Sequence, residues 1–232
     1  MDFFEVTMPA GKLKRIRYDV IQDHRNGGRY PMARDVVAPW AEASPQGANG
    51  MTAQELENLP EDPWHYELVE GRLVRMTPPG GENGDLAIGL ASPLWAHVRE
   101  NHLGRVLGAE TGFLISQPGQ PDTVLAPDVA FVRADRLPRR GSPEWKSYWR
   151  LAPDLVVEIA SPSQSRSEVS AKVHLWLAAG TRLVWVVWPE NQRVDVWRSA
   201  TSHPDQILGV DDMLKGDDVV LGFTYAIRQL FA

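Results

Sequence analysis

A single acidic residue inside an apolar strand constrains the fold of this chain more than any other feature. Residues 153–163 read PDLVVEIASPS, a pattern that predicts a short buried strand, a turn at Ser-Pro-Ser and then a helix. Glu158 lies within that strand, on the face opposite Leu155 and Val157. A strand that leads into a helix tends to be covered on both faces, so an unpaired carboxylate there is costly. Glu158 therefore requires a partner, and a metal ion or a cationic side chain is the usual one.

The composition excludes several classes of protein. The 232 residues, 43% apolar and 23% charged, suffice for one substantial core or for one domain with an appendage. The absence of cysteine excludes disulfides and cysteine-ligated zinc and agrees with a cytoplasmic location. We expect no membrane span and no secretory signal, because no long apolar run occurs. The net charge of -6 argues against a protein that coats nucleic acid, but a nuclease with a local basic groove remains compatible with it.

The sequence changes character near Met51. Residues 1–50 end in the linker-like run ASPQGANG and contain a small basic cluster at Lys12, Lys14, Arg15 and Arg17. We predict that they form an N-terminal extension, either a loosely attached arm or an arm that touches nucleic acid or a partner subunit. Thr52 to Glu55 has the form of a helix capping box, so we assign residues 51–232 to the domain.

Hydrophobic periodicity after Met51 predicts a mixed sheet flanked by helices. A short helix follows the capping box, and residues 66–76 are typical of a hairpin. Longer helices are predicted over 82–101, where Pro93 interrupts the pattern, and over 166–179. Strands are predicted over 105–116, 127–132, 154–160, 183–188, 193–197 and 219–221. This order indicates an α/β (α+β) fold with an N-terminal helix and hairpin.

Two Pro-Asp pairs offer a second carboxylate near Glu158. Asp154 lies four residues away on the same strand, about 13 Å distant, which is too far to share one ion. Asp128 lies on another strand and shares a face with the small residue Ala130. If the two strands are neighbours, Asp128 and Glu158 converge with room for an ion between them. The alternatives are an Asp128 that bonds a loop amide and a Glu158 held in a buried salt bridge.

Lys172 is the natural cation for such a site. It lies about two turns into the helix that follows the strand, next to the face that carries Val169, Val173 and Trp176. The alternative is a lysine that extends its ammonium group into solvent. Two carboxylates, a lysine and one or two Mg²⁺ ions can hydrolyse phosphodiesters, because the metal generates hydroxide while the lysine positions water or stabilises developing charge.

Three segments together give the chain a family resemblance. They are YELVEG at 66–71, PDVAFV at 127–132 and PDLVVEIASPS at 153–163. With Lys172 and Trp176 further along the chain, they resemble the Uma family of restriction-endonuclease-like proteins in the PD-(D/E)xK nuclease superfamily. The resemblance covers about residues 51–197 and implies a restriction-endonuclease-like PD-(D/E)xK core.

The resemblance also implies roles for individual residues. Asp128 and Glu158 would be the metal ligands, with Lys172 as the third catalytic residue. The superfamily's lysine normally stands two residues after the acid; this chain has Ala160 there, as is usual in this family, and Lys172 would be its migrated replacement.

Other positions match or depart from the family pattern. Glu67 and Glu70 match acidic positions of the first hairpin, so either could be an accessory acid. Asn83 stands where a histidine is frequent, and Trp188 where an aspartate is common.

We therefore expect a metal-dependent DNA endonuclease, a hydrolase of phosphodiester bonds that uses Mg²⁺ or Mn²⁺. One alternative is a catalytically inactive dimer of the same fold that binds nucleic acid or protein. Another is an unrelated soluble α+β domain in which Glu158 forms a structural salt bridge.

Two further expectations concern partners. Nucleases of this superfamily that cut both strands commonly pair two active sites, and the nine tryptophans offer interface anchors, so we expect a homodimer. The loop after the Asp128 strand is basic, and we expect it to contact the phosphate backbone of DNA. Its candidate residues are Arg133, Arg136, Arg139 and Arg140.

Overall fold

The computed structural model describes residues 50–59, 65–76, 80–162 and 164–232 in full, and the backbone of four short strands nearer the N-terminus. The chain divides into two compact units, Met1–Ala41 and Glu42–Ala232. In the first unit, β1 (Phe3–Thr7) pairs with β2 (Leu13–Arg17), and β3 (Ile21–Gln22) pairs with β4 (Arg29–Tyr30). Residues 43–49 of the linker-like run and the side chains of the basic cluster lie outside the described residues. The nature of the extension therefore stays a prediction.

The second unit contains the elements that build the candidate site. Its helices are α1 (Ala53–Glu57), α2 (Gly81–Glu100), α3 (Pro143–Lys146) and α4 (Arg166–Ala178). Its first strands are β5 (His65–Val69), β6 (Arg72–Met76), β7 (Gly104–Gly108), β8 (Phe113–Leu114), β9 (Val124–Leu125) and β10 (Val129–Arg133). Its later strands are β11 (Leu155–Ile159), β12 (Leu183–Trp188), β13 (Arg193–Trp197), β14 (Gln206–Leu208), β15 (Met213–Lys215) and β16 (Thr224–Ala226). In the described part of the chain, no helix has the length and apolar character needed to cross a membrane.

A mixed six-stranded sheet forms the centre of this unit. Its strand order is β14-β13-β12-β11-β10-β7. β11 runs parallel to β12, and every other neighbouring pair is antiparallel. The predicted mixed sheet flanked by helices is confirmed, and the two strands that carry the candidate carboxylates are neighbours.

Each face of the sheet has its own hydrophobic core, because alternate residues of a strand point to opposite faces. On one face the side chains of β10 and β11 pack against α2, in a cluster that includes Leu86, Leu90, Leu94, Val129, Phe131, Leu155 and Val157. On the other face they pack against α4, in a cluster that includes Ala130, Val156, Ala160, Val169, Val173 and Trp176. Glu158 belongs to this second face. The carboxylate therefore points towards α4, the helix that carries Lys172.

Local signals explain where α4 begins. The Ser165 hydroxyl accepts a hydrogen bond from the Glu168 backbone N–H, and the Glu168 carboxylate accepts one from the Ser165 backbone N–H. This capping box satisfies two of the free amides of the first helical turn. It fixes the helix start at Arg166, six residues before Lys172, and so determines which side of the helix faces the sheet.

Two strand predictions were wrong. Residues 105–116 form two strands in different sheets, β7 in the six-stranded sheet and β8 in a four-stranded sheet of order β6-β5-β9-β8. A Cβ on Gly112, between those two strands, would lie 2.4 Å from the Tyr148 ring, so the chain needs glycine there. Residues 219–221 form a turn, and the buried side chains of Val219 and Val220 explain the strand-like pattern.

Candidate active site

Asp128 and Glu158 occupy facing positions of adjacent antiparallel strands. The register pairs Val129 with Val157 and Ala130 with Val156, so the next pair outward is Asp128 with Glu158. Side chains in facing positions have Cβ atoms about 4.5–5.5 Å apart and lie on the same face of the sheet. The two carboxylates therefore converge at the end of β11, on the side covered by α4.

The backbone of β11 holds the Asp128 side chain in place. Asp128 Oδ2 accepts a hydrogen bond of 2.7 Å from the Ile159 backbone N–H. Asp128 Oδ1 has no hydrogen-bond partner among the described residues. One oxygen thus positions the carboxylate, and the other is available to a ligand.

Two side chains of α4 bind the two oxygens of Glu158. Trp176 Nε1–H donates to Oε1 at 2.7 Å, and Lys172 Nζ lies 3.1 Å from Oε2. Residues four apart on a helix lie side by side on one face, which is how both reach the same carboxylate. Glu158 is only 8% exposed, so these contacts replace the water that the carboxylate lost.

Glu67 completes the surroundings of Lys172. Its Oε1 lies 2.9 Å from Lys172 Nζ and accepts a 2.9 Å hydrogen bond from the Ala126 backbone N–H. The Ala126 carbonyl oxygen lies 3.5 Å from the same Nζ. An ammonium group has three N–H donors, and Glu67, Glu158 and Ala126 supply three acceptors. Lys172 is therefore a buried bridge between two acidic residues, and the alternative of a solvent-directed lysine is wrong.

Burial and charge shift the protonation equilibria of these groups. Burial raises the pKa of Glu158 to about 7; Lys172 opposes the rise, whereas the charges of Asp128 and Glu67 add to it. Burial also raises the pKa of Asp128, against the hydrogen bond from Ile159 and the charge of Lys172. For Lys172, burial alone would lower the pKa, but the charges of Glu158 and Glu67 outweigh it and raise the pKa above its ordinary value. Lys172 is thus a stable cation that faces three carboxylates.

The donor set fits a hard divalent cation. Carboxylate oxygens are the ligands that Mg²⁺ prefers, and a cation would offset the excess of negative charge. No three His, Cys, Asp or Glu side chains of the described residues form a cluster that could hold a metal alone. Asp128 and Glu158 would hold the ion as a pair, and water or substrate phosphates would complete its coordination, as is common for Mg²⁺.

Glu70 and Asp154 lie away from these carboxylates. Glu70 is exposed in the β5–β6 turn with a φ of 49°, so of the two hairpin acids only Glu67 reaches Lys172. Asp154 is 1% exposed, and its carboxylate accepts from Arg136 Nη1 at 2.8 Å and from the Arg133 backbone N–H at 2.9 Å. Asp154 is a structural ion-pair partner at the other end of β11.

The basic loop also lies at that other end. Arg133 is the last residue of β10, about 16 Å along the strand from Asp128, and it pairs with Asp135 at 2.7 Å. Arg136 pairs with Asp154, as described above, so two of the four arginines are engaged in ion pairs. Arg139 and Arg140 are exposed. Arg140 lines a cavity of about 700 Å³ together with Arg99, His102 and Arg105. Phosphate binding by the loop stays a prediction.

Two polar contacts at the site have no signal in the sequence pattern. Trp176 shares a helix face with the apolar residues Val169 and Val173, yet its indole N–H donates a hydrogen bond to Glu158. Asn83, buried in the first turn of α2, donates from Nδ2 to the Ile159 carbonyl at 3.2 Å and so fixes the strand end beside Glu158. The signal in the sequence that marks Asn83 is that it stands where the resembling family frequently has a histidine.

Comparison with known proteins decides the family. The family model Uma2, described as "Putative restriction endonuclease", matches residues 53–228. The chain belongs to the Uma2 family. Asp128, Glu158 and Lys172 all lie within the matched region of the Uma2 model, and the resemblance predicted from the three sequence segments is confirmed.

A solved structure supports the fold. The crystal structure of "a putative nuclease belonging to DUF820" from Anabaena variabilis ATCC 29413 superposes with a TM-score of 0.64 at 23% sequence identity, covering 78% of this chain and 97% of that one. Together with membership in Uma2, this confirms the restriction-endonuclease-like fold. No curated protein matches the chain.

Proposed function

We propose that the protein is a metal-dependent endonuclease that hydrolyses phosphodiester bonds of DNA, with Mg²⁺ or Mn²⁺ as its cofactor. The observation that carries the proposal is the facing pair of Asp128 and Glu158, with the buried ammonium of Lys172 3.1 Å from Glu158. Membership in Uma2, a family described as putative restriction endonucleases, supports a nuclease.

Asp128 and Glu158 hold the metal in this proposal. Asp128 contributes Oδ1, which accepts no hydrogen bond from a described residue, and Glu158 contributes the remaining lone pairs of its hydrogen-bonded oxygens. A bound divalent ion supplies hydroxide at neutral pH and neutralises charge at the phosphorus. The Trp176 and Ile159 hydrogen bonds keep the two carboxylates oriented without occupying Asp128 Oδ1.

Lys172 acts as a positioned cation. Because Glu158 and Glu67 raise its pKa, it does not accept a proton at neutral pH and is not the general base. Its positive charge, held beside Glu158, stabilises the negative charge that develops as the phosphodiester reacts. Glu67 is a positioning residue, since its Oε1 contacts Lys172 Nζ and also accepts a hydrogen bond from the Ala126 backbone N–H.

Nicking of supercoiled plasmid DNA tests the proposal. We expect nicking with Mg²⁺ or Mn²⁺, none with EDTA, and loss of both metal affinity and nicking in Glu158→Gln and Asp128→Asn. Nicking that survives both EDTA and the Glu158→Gln change would contradict the mechanism.

One observation favours a second candidate function. Both oxygens of Glu158 already accept hydrogen bonds from α4, so the site is also a closed, buried salt bridge. A catalytically inactive, dimeric binding module of the same fold would have such a site. Calorimetry that detects metal binding, without cleavage of any DNA or RNA, would support this second candidate.

A further inference from the structure

Two arginines outside the predicted basic loop lie at the same end of the sheet as the carboxylates. β11 and β12 run parallel and both end there, with Ile159 paired to Val187. β13 runs antiparallel and begins there, with Arg193 paired to Trp188. Trp188 lies one strand across and two residues beyond Glu158, which corresponds to about 8 Å between their Cα atoms.

A tryptophan ring holds both guanidinium groups. The Cζ atom of Arg166, the first residue of α4, lies 5.1 Å from the centre of the Trp188 ring, and that of Arg193 lies 5.8 Å from it. Both distances are within the range of cation–π attraction. We define Arg166, Trp188 and Arg193 as the Arg–Trp–Arg cluster.

The ring and one arginine are fixed by a buried carboxylate. Asp195 Oδ2 accepts from Trp188 Nε1–H at 2.7 Å and from Arg193 Nη2 at 3.0 Å. Asp195 lies on the same face of the sheet as Glu158, because Val186 pairs with both residues in the strand register. Its charge offsets that of Arg193, so the cluster carries a net charge of about one unit, supplied by Arg166.

Arg166 is exposed, and no acidic side chain in the described part of the chain forms an ion pair with it. The nearest acid on its own helix, Glu168, is engaged in the capping box with Ser165. Its position in the first turn of α4 also sets a cation at the positive end of the helix dipole, which is unfavourable unless an anion binds there.

We infer that the Arg–Trp–Arg cluster binds the DNA phosphate backbone beside the carboxylates, with Arg166 as the principal phosphate contact. The inference rests on the proposed nuclease function and adds to it the surface that holds the substrate. It places a phosphate contact closer to Asp128 and Glu158 than the arginine loop, because Trp188 and Arg193 lie at the carboxylate end of the sheet and the loop follows the far end of β10. Trp188 keeps both guanidinium groups oriented before the DNA arrives, which reduces the entropy lost on binding.

Salt-dependent binding measures the contact directly. A fluorescein-labelled DNA duplex is titrated with the full-length protein in Ca²⁺, over a series of NaCl concentrations, and followed by fluorescence anisotropy. The logarithm of the affinity falls linearly with the logarithm of the salt concentration, and each lost phosphate contact makes that slope less steep by about one unit. We expect that reduction in Arg166→Ala. Glu190→Gln, which removes an exposed acid from the turn between β12 and β13, should raise the affinity.

Two controls separate this surface from other positive charges. Arg182→Ala removes one charge from the opposite end of β12, where Arg182 pairs with Asp218, and should leave the slope unchanged. The double variant Arg139→Ala/Arg140→Ala removes the free charges of the predicted loop. If the slope becomes less steep in that variant but stays as steep as in the wild type in Arg166→Ala, the phosphate contact belongs to the loop and the inference is overturned.

The outcomes also separate this inference from the proposed function. If the wild type binds and nicks DNA but the salt dependence of binding is unchanged in Arg166→Ala, the cluster has only a structural role. The inference is then overturned, and the proposed nuclease function is not. If the wild type binds no DNA at any salt concentration, both are overturned. Arg193→Gln serves as a second variant; because it leaves Asp195 with fewer partners, its melting temperature is measured beside its affinity.

Discussion

Lys172 Nζ lies 3.1 Å from Glu158 Oε2, and the side chains of both residues are largely excluded from water. The pair is neither a simple structural salt bridge nor an isolated catalytic pair, because Asp128 faces Glu158 and Glu67 bonds the same ammonium. Three acidic side chains around one cation leave an excess of buried negative charge. A divalent ion bound between Asp128 and Glu158 would balance that charge.

Lys172→Ala should affect cleavage and stability together. Loss of one charge-stabilising group typically lowers the rate by about 10²–10⁴-fold, so plasmid nicking should fall within that range while calorimetry still detects the metal. The change also leaves the Glu158 and Glu67 carboxylates without their cation, and breaking a buried pair in this way costs about 3–5 kcal/mol.

A double variant separates the two effects. In Lys172→Ala/Glu158→Gln the unpaired charge of Glu158 is gone, so the free energy of unfolding should recover in part, while the loss of the metal ligand Glu158 should abolish the remaining cleavage. If the Lys172→Ala variant nicks DNA at the wild-type rate, the lysine has no role in the reaction.

The sequence predicted the fold around the site because its local signals agree with one another. The boundaries of α2 and α4 lie within one residue of those predicted, since the Ser165 capping box and the apolar period indicate the same start and face for α4. The 105–116 prediction was wrong because the short strands β7 and β8 join different sheets, and no local pattern shows such a change of partner. The Val219–Val220 turn resembled a strand because both side chains are buried by tertiary contacts.

The pH dependence of stability should report the buried carboxylate. In the metal-free protein the pKa of Glu158 is raised from its ordinary value of 4.5 to about 7. The folded state then binds the proton more tightly than the unfolded state, so the stabilising effect is complete below about pH 4.5 and is lost as the pH rises through 7. Relative to Glu158→Gln, the wild type in EDTA should lose about 3 kcal/mol of unfolding free energy over that interval.

Denaturant unfolding at a series of pH values checks this expectation, with Glu158→Gln as the reference for all other titrating groups. A constant difference between the two proteins would mean that Glu158 keeps an ordinary pKa. Because binding of a divalent cation favours the ionised carboxylate, added Mg²⁺ should reduce the loss at high pH.

The sequence predicts that Asp128 and Glu158 face each other only on the condition that their two strands are neighbours in the sheet. The alternation of side chains gave the face of each residue, but the neighbouring position of β10 and β11 is a property of the whole sheet. The hydrogen bonds of Trp176 and Asn83 could not be predicted, because apolar packing is the commoner role for a buried tryptophan and because Ile159 and Asn83 are 76 residues apart.

The homodimer expected from the tryptophan content should form through the outer face of α2. Ile88 is 63% and Trp95 49% exposed, and seven residues place them on one side of the helix. In an antiparallel two-fold contact Ile88 would face the partner's Trp95, and the exposed Asp85 would approach the partner's Arg99. Trp95→Glu should therefore convert the dimer to a monomer, as measured by light scattering.

An equally exposed apolar residue elsewhere serves as the control for the dimer. Ile207, 58% exposed on the edge strand β14, should be replaceable by Glu without effect on the mass. Loss of the dimer in Ile207→Glu but not in Trp95→Glu would move the interface to the sheet edge, and a monomeric wild type at micromolar concentrations would exclude the dimer.

Asp128→Asn and Asp154→Asn form a matched pair, because each removes one charge from the aspartate of a Pro-Asp dipeptide. Asp128 faces Glu158, so its change should abolish metal binding and cleavage, while the fold keeps most of its stability because an amide oxygen can still accept from Ile159. Asp154 instead pairs with Arg136 at the far end of β11, so its change should lower the unfolding free energy by about 1–3 kcal/mol and leave cleavage per folded molecule unchanged. Calorimetry, plasmid nicking and denaturant unfolding of the two variants check this reciprocal pattern. Loss of cleavage in a folded Asp154→Asn protein would show that the catalytic site extends beyond the end of the sheet where Asp128 and Glu158 meet.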